Sequence, residues 1–226
     1  MRKIYQKAII MLSVACMGYA TPAFAADAIV KTNKAWLSGA THIYGRMTVS
    51  GITSSNIKEK GFCYSSVNQM PTVEDGTSKI YLSNQGEIYN ISQLKPATVY
   101  YIRAYVKKTN GDVVYGDPVK AITRPKGGVT YNINDGFPSD VLTRVQAAAK
   151  EAIDLWNEYT GIHGLHITIN YGAQTQTADC SYGGWMRIGP NASYQKTGTL
   201  LHEMLHAIGV GTHGTWQNSF LRSNTT

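Results

Sequence analysis

His202-Glu203-Met204-Leu205-His206 sets two imidazoles four residues apart, with a carboxylate beside the first. On a helix that spacing brings both rings to one face, about one turn apart, where they can share a zinc ion. Glu203 stands one step round the helix, placed to take a proton from a water rather than to bind the metal. Leu200, Leu201, Met204, Leu205 and Ile208 form the apolar remainder, so the site is expected to be dry. A fixed H-E-x-x-H arises by chance on the order of once per hundred chains of this length. The spacing predicts a metal centre.

The pattern continues through Ala207-Ile208 to Gly209, and so fills the first eight positions of H-E-x-x-H-x-x-G-x-x-H. Residues 129–226 therefore resemble the metzincin zinc peptidases. The resemblance implies an α+β zincin-like catalytic subdomain, a Zn2+ cofactor on His202 and His206, and Glu203 as the catalytic base. It also implies an extracellular protein or peptide substrate, laid out along an edge strand; Gly183-Gly184-Trp185-Met186 is the expected edge. The family's third His would fall at position 212, occupied here by Thr212, and a His follows one residue later at His213. Two readings of His213 stand side by side: the third zinc ligand, reached through flexible Gly209 and Gly211, or a solvent-facing loop residue. The family's Met-containing turn lies beyond the zinc motif, yet no Met follows Met204 and 13 residues follow His213. A short, incomplete family member is expected, and whether it is active stays open.

Several elements must hold that helix in place. Val141, Val145, Ala148, Ala152, Leu155 and Tyr159 recur at spacings of four and three, which predicts an amphipathic helix over 139–159. Pro138-Ser139 and Gly161 supply its start and stop. Leu165, Ile167, Ile169 and Tyr171 alternate with polar residues as in a half-buried strand, and Trp185–Ile188 forms another before Gly189-Pro190. The zinc-motif helix itself is expected to run from about Gln195 to Ile208. His163 and His166, near the start of the first strand, read as exposed or hydrogen-bonded residues. Cys180 reads as core rather than as a thiol that caps zinc.

Residues 28–124 have a different texture, without helical period. Short alternating runs are separated by Gly, Asn, Ser and Pro, as in an all-β domain. Tyr100–Val106 is the clearest strand, with Ile102, Ala104 and Val106 on one face and Tyr101, Arg103 and Tyr105 on the other. Asn110-Gly111-Asp112 is a hairpin turn leading to Val113–Tyr115. Gly61–Ser65 and Ile80–Leu82 are two further strands. Leu94-Lys95-Pro96-Ala97-Thr98-Val99-Tyr100 has the form of a tyrosine corner, and the segment resembles the fibronectin type III modules of secreted bacterial proteins. Residues 125–128 form a Pro/Gly-rich linker between the two domains.

The first 25 residues carry the parts of a secretory signal: a basic start, apolar Ala8–Ala15, and Ala23-Phe24-Ala25 before a new N-terminus at Ala26. A lipid-bearing Cys16 is the weaker alternative. The net charge of +7 includes Arg2, Lys3 and Lys7 of that signal. The remaining basic residues are scattered, so no basic stripe points to nucleic acid. No later stretch is long enough to span a bilayer. Cleavage leaves Cys63 and Cys180, which read as small buried hydrophobes rather than a bridge. A secreted, periplasmic or extracellular monomer is expected. The competing function is a non-catalytic secreted binding protein with a vestigial zinc domain, in which Tyr101 and Tyr105 form an exposed contact face.

Overall fold

A computed structural model describes residues 27–75, 78–81 and 88–221. The expected signal peptide, Cys16, Ala26, Leu82 and the polar end Arg222–Thr226 lie outside the described residues.

The first half folds into two antiparallel sheets. One is ordered β1 (Ile29–Ser38), β2 (Ile43–Ser50), β5 (Ile88–Ile91). The other is ordered β4 (Ser78–Tyr81), β3 (Ile57–Ser65), β6 (Val99–Lys108), β7 (Val113–Tyr115), and β8 (Val119–Ile122) also pairs with β6. Side chains from both sheets meet in one core: Ile43, Met47, Phe62, Tyr89, Ile91, Ile102, Ala104 and Val106 are all buried. Alternation on β6 explains the last three, because every second residue points inward. At the start of β6 the Lys95 backbone N–H donates to the Tyr100 hydroxyl oxygen at 2.9 Å. That bond is the tyrosine corner expected from the L-x-P-x-T-x-Y pattern. The unit is a fibronectin type III-like sandwich.

Tyr105 departs from expectation. It lies on the outer face of β6, yet it is fully buried, beside the Tyr115 ring and with its hydroxyl donating to Glu59 Oε1 at 3.1 Å. Burial and the Glu59 carboxylate push its phenol well above the usual tyrosine value. Tyr105 therefore contributes nothing to an exposed contact face.

The second half places a four-stranded mixed sheet against two helices. Strand order is β11 (Ala178–Cys180), β12 (Trp185–Ile188), β10 (His163–Tyr171), β9 (Gly128–Ile133). β9 and β12 run parallel to β10, and β11 runs antiparallel to β12. Helix α1 (Ser139–Tyr159) makes the crossover from β9 to β10 that a parallel pair needs. Helix α2 (Thr197–Ala207) carries the zinc motif and packs on α1. Val145, Ala149, Ala152 and Ile153 of α1 share a core with Ile167, Ile169, Met186, Ile188, Leu200 and Met204. The buried face of α1 drifts from the Val141–Val145 line towards Ala149, Ile153 and Trp156. Packing against the sheet and α2 therefore broadens the buried face beyond the sequence stripe to take in Ala149, Ile153 and Trp156. Leu155 and Tyr159, at the C-terminal end of the stripe, are half-buried.

In this half two strands, β9 and β11, are absent from the sequence reading. Their presence corrects the expected sheet edge: β12 is interior, with Trp185 opposite Thr168 of β10 and Met186 opposite Cys180 of β11. The edge next to α2 is β11. Gly128, expected in the linker, is already the first residue of β9. Among the described residues no helix is long and apolar enough to cross a membrane.

Candidate metal centre

Helix α2 is fixed at both ends. At its start, buried Gln195 donates from Nε2 to the Gly189 carbonyl at 2.9 Å and accepts from Arg144 Nε of α1 at 2.6 Å. Gln195 is thereby held outside the helix, which begins at Thr197 rather than at the expected Gln195. Thr197 adds a bond from its hydroxyl to Glu151 Oε2 at 2.6 Å. At its end, the Gly183 N–H donates to the Ala207 carbonyl at 3.0 Å. The sheet's last turn and both helices thus meet around the motif.

Gly209 ends the helix with φ of +105°. Its N–H bonds to the His206 carbonyl and the Val210 N–H to the Leu205 carbonyl, both at 3.0 Å. This pair is a Schellman stop, which needs a residue tolerant of positive φ just past the helix. A Cβ at Gly209 would also lie 2.9 Å from that of His213. The turn brings the Val210 carbonyl back over the helix end, where His206 Nδ1 donates to it at 2.7 Å. A proton committed to Nδ1 leaves Nε2 with its lone pair free. Metal-binding histidines are commonly oriented by this kind of bond.

His202 and His206 do share one face. Their ring centroids are 5.0 Å apart and the rings stand edge to face. His202 is exposed, His206 half-buried and Glu203 buried, only 6% exposed. Burial pushes the Glu203 carboxyl above the usual Glu value, while His206 and His202 act in the opposite sense. A cleft of about 360 Å³ opens in front of His202 and Glu203. Thr177 and Ala178 of the β11 side form one wall, and Tyr194, Gly198 and Thr199 the other. The site is less dry than its sequence suggests: Leu200, Met204 and Ala207 are buried, but Leu205 and Ile208 are each 40% exposed.

His213 lies against Tyr182, ring centroids 4.7 Å apart, and its Nδ1 accepts from the Thr215 N–H at 3.1 Å. Among the described residues no three His, Cys, Asp or Glu side chains converge into one group. Thr212 donates its hydroxyl to the His206 carbonyl at 2.6 Å, reinforcing the helix stop. His166 is bracketed by Thr130 and Asn132 on β9, and His163 is exposed at the start of β10. Cys63 and Cys180 are free and buried, each thiol pushed up to about 12 chiefly by burial. Cys180 sits close enough to Glu203 to feel its charge.

No protein-family model matches the chain, and no curated protein does. Solved structures do. The sixth fibronectin type III domain of human fibronectin type III domain containing protein 3 is 21% identical, with a TM-score of 0.31. The match covers 48% of this chain and 88% of that one. The sensor domain of the anti-sigma factor RsgI4 of Pseudobacteroides cellulosolvens is 16% identical, over 43% of this chain and 94% of that one, at a TM-score of 0.31. A Yersinia enterocolitica family 28 exopolygalacturonase is 14% identical over 63% of this chain and 28% of that one, at 0.33. The type III-like sandwich rests on its own strand order and tyrosine corner.

Proposed function

We propose that the chain is an exported zinc-dependent endopeptidase, its second half a metzincin-like catalytic unit behind a fibronectin type III-like module. The observation that carries this reading is the bond from His206 Nδ1 to Val210, which frees His206 Nε2 on the helix face shared with His202. His202 and His206 would hold the zinc, with His213 the nearest candidate in sequence for a third nitrogen. The donor set suits that ion: imidazole nitrogens one turn apart, with the orienting bond already made. Zinc, when bound, supplies Lewis acidity to a water and to a peptide carbonyl.

This chain's residues do the rest. Glu203, buried and raised in proton affinity, takes a proton from the attacking water and passes it to the leaving amine. Among the described residues strand β11 has β12 on one side only, which leaves its outer edge to pair with an extended peptide beside His202 and Glu203. The cleft between β11 and α2 would take the side chain next to the scissile bond.

Glu203→Gln tests the reading, because it preserves shape and removes the base. Zinc should remain bound while hydrolysis of a general peptide substrate is abolished. Retained hydrolysis would sink the peptidase reading. The non-catalytic binding protein is the second reading. Its aromatic face is reduced to half-buried Tyr101, since Tyr105 is inside.

A further inference from the structure

The last turn of α1 carries three consecutive residues that tie down the connector and reach the sandwich. Asn157 fastens the connector: its Oδ1 accepts from the Val129 N–H at 2.8 Å, its Nδ2 donates to the Val129 carbonyl at 2.9 Å, and its own carbonyl accepts from Gly127. Glu158 reaches the sandwich. Its carboxylate accepts from the Thr41 N–H and from His42 Nδ1, both at 2.7 Å, and from the Thr41 hydroxyl at 3.1 Å. Its backbone carbonyl takes the Ala40 N–H at 2.8 Å. Tyr159 completes the set, its hydroxyl 2.8 Å from His42 Nε2. The side chains of His42 and Glu158 are only 13% and 17% exposed. Gly39 and Gly127 sit where any Cβ would collide, the first with the Glu158 carboxylate and the second with Asn157 and the Thr160 carbonyl.

We propose that Glu158 and Tyr159, with Asn157 fastening the connector at the same helix end, form a built latch onto Thr41-His42 that makes the sandwich and the helical unit one rigid body. A flexible tether would leave these groups to water, and a surface pair would not need glycines on both sides of it. Here a charged carboxylate satisfies a turn of the other unit with several donors, and that turn caps the helix end in return. Because α1 packs on α2, the latch fixes the sandwich relative to the cleft whether or not the cleft is catalytic.

The test uses the full chain and the trypsin-sensitive Lys126-Gly127 bond, at an exposed lysine in the connector. In the unmodified protein that bond should be cut slowly, since Gly127 is held by Asn157, and backbone relaxation should give one tumbling time for both halves. Glu158→Ala should speed the cut on the order of tenfold and split the tumbling times. His42→Gln, a milder change that leaves the fold safe, should move both readouts the same way by less. Combined with Glu158→Ala it should add little, because both remove the same contact. Two tumbling times in the unmodified chain would overturn the proposal. So would cleavage at Lys126 that is unchanged in Glu158→Ala and His42→Gln.

Discussion

His206 Nδ1 lies 2.7 Å from the Val210 carbonyl, and that bond exists because Gly209 turns the chain back over the end of α2. Gly209→Ala should therefore damage the proposed metal site without touching either proposed ligand. The helix stop would lose at least about 1 kcal/mol, from unfavourable positive φ and the contact with His213. Zinc affinity should fall several-fold as the His206 ring loses its anchor. Thermal melts and titration against a competing chelator measure the two effects.

Replacing ligands separates the two readings of His213. On the proposed function His202→Ala and His206→Ala each remove a zinc nitrogen, so affinity should collapse in both. If His213 is a ligand, His213→Ala should weaken zinc nearly as much. If it stays against Tyr182, the same change should leave affinity within about twofold, a difference worth under ~0.5 kcal/mol. Chelator competition on the three variants decides between them.

The two thiols predict a pH dependence. Each is pushed up to about 12 in the folded chain against 9.0 in an open one. Between those values the unfolded chain releases protons that the folded chain keeps, so the thiols make stability fall as pH rises through that window. About two pH units or more below 9.0 they contribute almost no slope. In the native protein at pH 8, Cys63 and Cys180 should resist alkylation and become reactive on unfolding, as mapped by mass spectrometry.

Tyr100→Phe removes one hydroxyl and orphans the Lys95 N–H. Loss of that bond should cost about 1 kcal/mol. Denaturant unfolding followed at the sandwich would show it as a lower midpoint with an unchanged slope. A silent substitution would mean that the corner bond contributes nothing.

Much of the site was legible in the sequence because it is local. The i, i+4 histidines, the adjacent Glu and the helix-ending Gly interact within eight residues, and helical geometry alone brings them together. The span of α1 was legible for the same reason, as was the inward set Ile102, Ala104 and Val106. Strands β9 and β11 were not. One has a single alternating stretch of six residues and the other only three, too short for a pattern to rise above its surroundings.

What the sequence by itself determined is therefore the chemistry: two nitrogens and a carboxylate on one helix, a chain reversal after it, and a sandwich with a tyrosine corner ahead of it. Tertiary structure alone decided where that chemistry faces. Burial of Glu203, exposure of His202 and the choice of β11 as the edge depend on which strands pair and which helix packs. Those are long-range contacts that no local period encodes. The same holds for Tyr105, buried on the face that alternation assigns to solvent, and for His42, which meets Glu158 across 116 residues of sequence. Nothing beside either residue announces its partner, because hydrogen bonds and packing join groups by position in space and not by spacing along the chain.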